Sequence, residues 1–254
     1  MLFRQMKLKV KGSFVIADIC KDGVIIASES RANIFDKTDR EKKPIAYYDL
    51  EQKVFPMGNC AIAQTGQGLI LNVFFSAIVK QFAQTVTLPP VNNILPAFLQ
   101  YNQSHSPAAA LSEIRKQKLF AAGYMDEHPT ICYFNEAQSP PFGCIQDEGF
   151  IQSAPTFFGN NAPSNLSAED SGDLAEEAIQ AYAKEGERWK TIGDPVSVLL
   201  ITQGGHEWIK NMPPVQNWTY VQDFVRDYRS GKAEINLIPP ATRKELDDLL
   251  STVG

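Results

Sequence analysis

The stretch GSFVIADICKDGVIIASESRA, residues 12–32, decides the fold prediction. Two apolar runs lie on either side of Lys21-Asp22-Gly23. An Asp-Gly pair between apolar runs supplies the positive φ angles that a tight β-turn needs, so the stretch predicts a β-hairpin. The second run ends on Glu29 and Arg31, which puts an acid and a base at the open end of the hairpin.

Working outward, strands and helices occur in blocks rather than in strict alternation. This order predicts an α+β fold and not a parallel, doubly wound sheet. The expected strands after the hairpin are 52–57, 60–65, 119–125, 130–135, about 149–153 and 196–202. The expected helices are 69–84, 93–102 continuing at 107–116, 174–189, and two short ones at 221–229 and 242–250. Ser167 or Asp170 is expected to cap the helix at 174–189.

Length and composition limit the classes of protein. At 254 residues, with 44% hydrophobic and 21% charged residues, the chain can bury one large core or two small ones. A net charge of -5 and the lack of a basic stripe exclude nucleic acid and anionic membranes as the main partner. Residues 1–11 alternate charged and apolar side chains and do not read as a secretory signal, and no apolar run reaches the ~20 residues of a membrane span. We therefore expect a cytoplasmic protein.

The cysteines and histidines do not predict a cofactor. Cys20, Cys60, Cys132 and Cys144 have no CxxC spacing and lie mostly in apolar runs, which favours buried free thiols over disulfides or a metal site. The three histidines are far apart in the sequence. We expect neither a metal nor another cofactor.

The front of the chain resembles proteasome β-type subunits and related bacterial members of the N-terminal nucleophile (Ntn) hydrolases. Counting back from Asp22-Gly23, Ser13 falls where that family has its nucleophile, directly after a glycine. The resemblance covers about residues 13–209 and is strongest over 12–31 and 51–68. It implies a four-layer αββα sandwich, with residues 1–12 as a removable propeptide-like segment, 13–209 as the hydrolase-like domain and 210–254 as a C-terminal extension.

The resemblance also implies roles for individual residues. Ser13 would be the nucleophile, with its own α-amine as general base once residues 1–12 are removed. Lys53 would be the active-site lysine, paired with Glu29 at a position where the family usually has aspartate. Arg31 would support the start of the active-site loop, and Gly66 or Gly68 would offer a backbone N–H to the oxyanion. The expected substrate is a peptide or amide, and the expected assembly is a homo-oligomer, as a ring or open spiral.

Part of the family pattern is displaced. The family has a serine at a Gly-Ser-Gly-like strand end and an Asp-x-x-Ser before the last core strand. The corresponding places here read Ile-Gln-Ser153-Ala and Trp-Lys-Thr-Ile-Gly-Asp194, so Ser153 or Asp194 would have to substitute in a shifted register.

Alternatives to catalysis remain open from the sequence. Ser13 can be an ordinary residue at a strand start, Glu29 and Arg31 can form a structural ion pair, and Lys53 can be a solvated charge. A chain that keeps residues 1–12 would then be a catalytically inactive scaffold or regulatory subunit, similar to the α-type members of the superfamily. An amide hydrolase that acts on small molecules is a third reading.

Overall fold

The computed structural model describes residues 7–12, 14–39, 43–152, 165–184, 192–213 and 218–253. These residues form sixteen strands and six helices. The strands are β1 Leu8–Gly12, β2 Val15–Cys20, β3 Gly23–Glu29, β4 Ala32–Asp36, β5 Pro44–Tyr48, β6 Val54–Met57, β7 Cys60–Gln67, β8 Leu69–Ile70, β9 Val73–Phe74, β10 Lys118–Met125, β11 His128–Phe134, β12 Phe142–Gln146, β13 Gly149–Gln152, β14 Val196–Thr202, β15 Gly205–Lys210 and β16 Asn236–Leu237. The helices are α1 Phe75–Thr85, α2 Val91–His105, α3 Ala108–Arg115, α4 Ala168–Lys184, α5 Val221–Arg229 and α6 Arg243–Leu250.

The strands form two large sheets and one small hairpin. The nine-stranded sheet has the order β12-β11-β10-β7-β1-β4-β5-β16, with β6 also paired to β7, and the five-stranded sheet has the order β13-β2-β3-β14-β15. Every ladder among the described residues is antiparallel. The described residues therefore form a mixed α/β fold, and none of their sheets is the parallel sheet of a doubly wound fold.

The hairpin predicted from residues 12–32 is present as β2 and β3. The register runs from Val15 opposite Ser28 to Cys20 opposite Gly23, which leaves Lys21 and Asp22 as a two-residue turn. Gly23 has a φ of 148°, and a Cβ there would run into the carbonyl of Ile201 on β14. Glycine is thus required both by the backbone angle and by the close approach of β14.

Apolar clusters lie on both faces of each large sheet. One cluster joins the sheets to each other through side chains such as Val24 and Ile26 on β3 and Phe120 on β10. A second packs α1 to α3 on the nine-stranded sheet, and a third packs α4 on the five-stranded sheet. We name the fourth the C-terminal cluster. It combines Leu8 and Val10 of β1, Leu69 and Phe74 with side chains of β4, β5, α5 and α6 and of the residues that follow these two helices.

Two helix boundaries differ from the sequence prediction. Helix α1 begins at Phe75 and not at residue 69, because Leu69–Phe74 turn back through Leu71, which has a φ of 56°, to form β8 and β9. Helix α4 begins at Ala168, six residues before the predicted start. The hydroxyl oxygen of Ser167 accepts the Asp170 N–H at 3.1 Å, which confirms the predicted cap.

The cysteine prediction is right for one pair only. Cys20 and Cys60 are buried free thiols, whereas Cys132 and Cys144 form a disulfide. These two residues lie directly opposite each other on β11 and β12, a relation that only the strand register reveals. In the described ranges no group of three or more histidine, cysteine or acidic residues is placed to hold a metal ion. No helix there has the length and apolarity needed to cross a membrane.

Candidate active site

The center of the predicted site is a fully buried ion pair. Glu29 ends β3 and is 0% exposed, and Lys53, directly before β6, is 1% exposed. The Lys53 ammonium donates a hydrogen bond to Glu29 Oε1 and a second one, of 2.6 Å, to the carbonyl oxygen of Arg31. The pair predicted from the sequence is therefore formed, and it links the five-stranded sheet to the nine-stranded sheet.

The same pair lies near the residues on both sides of position 13. Phe14 donates its backbone N–H to Glu29 Oε1 at 3.2 Å. A Cβ on Gly12 would lie 3.1 Å from Lys53 Nζ and in hard contact with the carbonyl oxygen of Arg31. Ser13 itself lies outside the described residues, as does Ser153. The pair thus lies beside both chain neighbours of the predicted nucleophile.

Burial has opposite effects on the two partners. Burial raises the pKa of Glu29, opposed by the charge and hydrogen bond of Lys53 and by the N–H groups of Arg31 and Phe14. Burial lowers the pKa of Lys53, opposed by Glu29 and, at longer range, by Glu51 and Asp49. A buried ion pair as a whole contributes little net stability because desolvation offsets its attraction, which makes this pair a candidate for function.

Arg31 stabilises the part of the site where β4 begins and β5 ends. Its guanidinium donates two hydrogen bonds, of 2.7 and 2.9 Å, to the carboxylate of Asp49, and it lies 3.8 Å from the ring center of Tyr47. Its backbone N–H donates to Glu29 Oε2 at 2.6 Å. Arg31 therefore holds β4 to the end of β5, while the carboxylate of Glu29 is shared by Lys53 and backbone amides.

Gly66 and Gly68 do not open a helix, which corrects the sequence prediction. Gly66 belongs to β7, with a φ of 120°, and helix α1 begins only at Phe75. The N–H of Gly68 donates to the carbonyl of Val10 at 3.1 Å. While β1 is in place, this N–H is therefore engaged by β1 and cannot serve an oxyanion.

Glu51 is an acidic residue of the site that sequence reasoning missed. It is 2% exposed, its N–H donates to the carbonyl of Ser30, and its Oε2 accepts the hydroxyl of Tyr48 at 2.6 Å. Its carboxylate also packs directly on Gly68. The only signal in the sequence is its position two residues before Lys53, which does not indicate burial.

Ser197 was missed for another reason. Residues 194–197, Asp-Pro-Val-Ser, have the Asp-x-x-Ser spacing of the family. The segment matched to that pattern from the sequence was 189–194, so Ser197 lies three residues past its end. Val196 lies opposite Glu29 and Ser197 lies opposite Ser28 in the β14–β3 ladder, so this motif ends beside the ion pair. Ser197 is 2% exposed, and its hydroxyl has no hydrogen-bond partner among the described residues.

Comparisons with known proteins support the fold. No protein-family model matches the chain, and no curated protein sequence matches it. Among solved structures, the chain is similar to an Anbu (Gly-1) mutant from Hyphomicrobium sp. strain MC1, with a TM-score of 0.54 and 11% sequence identity. The similarity covers 87% of this chain and 94% of that one. The fold is proteasome-like. At this identity the likeness concerns the fold alone, so the chemistry has to be argued from the site.

Proposed function

We propose that the chain is a proteasome-like Ntn hydrolase with a four-layer αββα sandwich, which cuts its own backbone between Gly12 and Ser13 and then hydrolyses peptide or amide bonds with Ser13. The observation that carries the proposal is the buried Glu29–Lys53 pair, which accepts the Phe14 N–H and lies so near Gly12 that a Cβ there would be 3.1 Å from Lys53 Nζ. In this proposal residues 13–209 form the hydrolase domain, residues 1–12 the propeptide-like segment and 210–254 the extension. The proposal keeps the predicted cytoplasmic location.

The proposed self-cleavage needs no additional reactant except water. The Ser13 hydroxyl adds to the carbonyl of Gly12, the C–N bond breaks, and an ester to Ser13 Oγ replaces the amide. The departing nitrogen takes the hydroxyl proton and becomes the α-amine of Ser13. Water then hydrolyses the ester to leave a Gly12 carboxylate. The positive charge of Lys53 stabilises the developing alkoxide, and the free α-amine, with an ordinary pKa of about 7.7–8.0, serves as general base in later cycles.

One observation favours the scaffold function as a second candidate. Residues 8–12 form β1, a central strand of the nine-stranded sheet, and Leu8 and Val10 are 0% exposed. A strand so placed contributes to the core, whereas a segment that is discarded would be expected at an edge. A chain that retains β1 permanently would have the fold without the free α-amine.

The mass of the purified protein under denaturing conditions separates the two candidates. The hydrolase hypothesis predicts two species, a chain that lacks residues 1–12 and the released peptide. The scaffold reading predicts the uncut chain after long incubation, across the concentrations at which the protein assembles. That second result, with no hydrolysis of peptide amides, would reject the hydrolase proposal.

Gly12→Ala is expected to destabilise the protein by about 1–3 kcal/mol and to block the cut after residue 12. The added methyl would overlap the Arg31 carbonyl oxygen and lie 3.1 Å from Lys53 Nζ, and overpacking a tight site has a cost of this order. Urea unfolding and denaturing mass spectrometry measure the two effects. Gly204→Ala is the matched control, because only the Thr202 hydroxyl lies near its Cβ, at 3.9 Å. Equal stability of the two variants would contradict the close approach at Gly12.

The homo-oligomer, as a ring or open spiral, remains a prediction. The family resemblance implies it, and an apolar helix at 69–84, as predicted from the sequence, would also have needed a covering surface. Helix α1 instead places Phe75, Val79 and Phe82 in the cluster beneath the nine-stranded sheet, which covers its apolar face within the chain. The prediction now rests on the proposed function, and light scattering at micromolar concentration tests it; a single monomeric species would contradict it.

A further inference from the structure

Strand β1 connects two halves of the nine-stranded sheet. On one side it pairs with β4, from Leu8 opposite Asp36 to Lys11 opposite Asn33. On the other side Lys11 and Gly12 pair with β7, and the Gly68 N–H bonds to the carbonyl of Val10. Without β1, the strands β4, β5 and β16 would lose their described link to β7. The space between β4 and β7 would become an open groove with unpaired backbone groups on both sides.

The C-terminal extension packs in the same apolar cluster as the buried side chains of β1. Leu8 and Val10 belong to the C-terminal cluster, in which the extension contributes more buried side chains than any other part of the chain. The aromatic core of this cluster is formed by Phe224, whose ring center lies 4.9 Å from Trp218, 5.0 Å from Tyr48 and 6.2 Å from Phe74. The extension's fully or almost fully buried apolar residues are Val221, Phe224, Val225, Ala233, Ile235, Leu246, Leu249 and Leu250.

Backbone hydrogen bonds attach residues 218–253 to the rest of the described chain at two places, and neither involves the ion pair. At one, the Phe74 N–H donates to the Thr219 carbonyl at 3.0 Å and the Val221 N–H donates to the Asn72 carbonyl at 2.9 Å. At the other, β16 pairs with β5 and the Ile238 N–H donates to the Ile45 carbonyl at 3.0 Å. The attachment can therefore be weakened without changing Glu29 or Lys53.

We propose that residues 218–253 act as a clasp that keeps β1 in the groove between β4 and β7. The next step rests on the proposed function. If the chain is cut after Gly12, residues 8–12 would stay bound as a separate strand. The occupied groove and the engaged N–H of Gly68 would keep an extended peptide from the site until the clasp loosens. The extension would thus control access to the site through the cluster that it shares with β1.

Hydrogen exchange on the full chain tests the clasp whether or not the chain is cut. In Phe224→Ala and Leu246→Ala, amides of residues 8–12 are expected to exchange on the order of 10- to 100-fold faster, while those of β3 keep their protection. Phe98→Ala is the matched control, because Phe98 is equally buried but belongs to the cluster under α1 and α2. If the alanine variants do not fold, Phe224→Leu and Leu246→Val give smaller changes in the same direction. Unchanged exchange at 8–12, or an equal increase in Phe98→Ala, would reject the clasp.

Native mass spectrometry tests the retention of the cut strand. A cut protein is expected to keep the peptide of residues 1–12 under native conditions and to lose it in Phe224→Ala. A peptide that leaves the parent protein freely would refute retention. A chain that is never cut would argue against the hydrolase proposal, and the exchange result would still decide the clasp.

Discussion

Ser13→Ala is expected to abolish the cut after Gly12 and the hydrolysis of any peptide or amide substrate. In the proposed mechanism the same hydroxyl oxygen attacks in both reactions, so one substitution removes both. Loss of a nucleophile typically lowers the rate by several orders of magnitude, about 10⁶-fold in a well-studied serine protease. Denaturing mass spectrometry measures the cut, and the release of a chromophore from peptide amides measures the turnover.

Two controls separate chemistry from folding in this experiment. Ser13→Thr keeps a hydroxyl at the same place and is expected to retain both reactions. Ser104→Ala removes an exposed hydroxyl from α2 that donates a hydrogen bond of 3.3 Å to the carbonyl oxygen of Gln100, and it is expected to behave as the parent protein. A Ser13→Ala chain that is cut at the parent rate would refute the nucleophile assignment and leave the scaffold reading ahead.

Local patterns were sufficient for the parts of the fold that neighbours in the sequence determine. The Lys21-Asp22 turn sets the register of β2 and β3, and the two helices of the extension begin and end at or within one residue of the predicted bounds. Helix α6 begins at a capping box, in which the Thr242 hydroxyl accepts the Glu245 N–H and the Glu245 carboxylate accepts the Thr242 N–H. Signals of this kind act over a few residues and can be read from one sequence.

Features that depend on contacts between distant residues could not be read in that way. The apolar run at 69–74 suits a buried helix as well as a hairpin, and only the positive φ of Leu71 distinguishes them. Leu8 is buried in a cluster that it shares with the extension, which lies more than 150 residues further along the chain. The resemblance to a family stops near residue 209, so it carried no information about what the extension covers.

The Glu29–Lys53 pair was predicted from the sequence only in part. The family resemblance at residues 12–31 and 51–68 implied that Lys53 pairs with Glu29, and the two side chains do form an ion pair. The burial of the pair was not predicted, because a lysine directly before a strand is most often solvated. A solvated lysine could be removed without harm to the fold. The burial of both groups changes that expectation.

Lys53→Ala is expected to destabilise the protein by about 3–5 kcal/mol and to remove activity. The substitution leaves the Glu29 carboxylate buried without its cation, and breaking a buried pair from one side has a cost of this order. Urea unfolding gives the free energy of unfolding. Lys116→Ala is the control, because Lys116 also pairs with a glutamate, Glu113, but is 59% exposed, and such surface pairs contribute below about 1 kcal/mol.

The double variant Glu29→Gln/Lys53→Met distinguishes loss of stability from loss of chemistry. It removes both charges at similar volume, so it is expected to recover most of the stability that Lys53→Ala loses, while activity stays absent. A stable but inactive double variant would assign the pair to catalysis. A stable and active one would show that the pair is structural and that Ser13 works without it.

The pH dependence of Lys53→Ala gives an independent test of burial. Without the lysine, only the N–H groups of Arg31 and Phe14 still oppose the desolvation of Glu29, so the pKa of its carboxyl rises above the ordinary 4.5 by more than in the parent. Between 4.5 and that raised pKa, the folded variant holds a proton that the unfolded chain has lost, so its stability falls as the pH rises. The deficit of Lys53→Ala relative to the parent is therefore expected to be smaller at pH 5 than at pH 8. A deficit that is constant over this range would mean that the Glu29 carboxylate is solvated in the variant, and the burial argument for the site would fail.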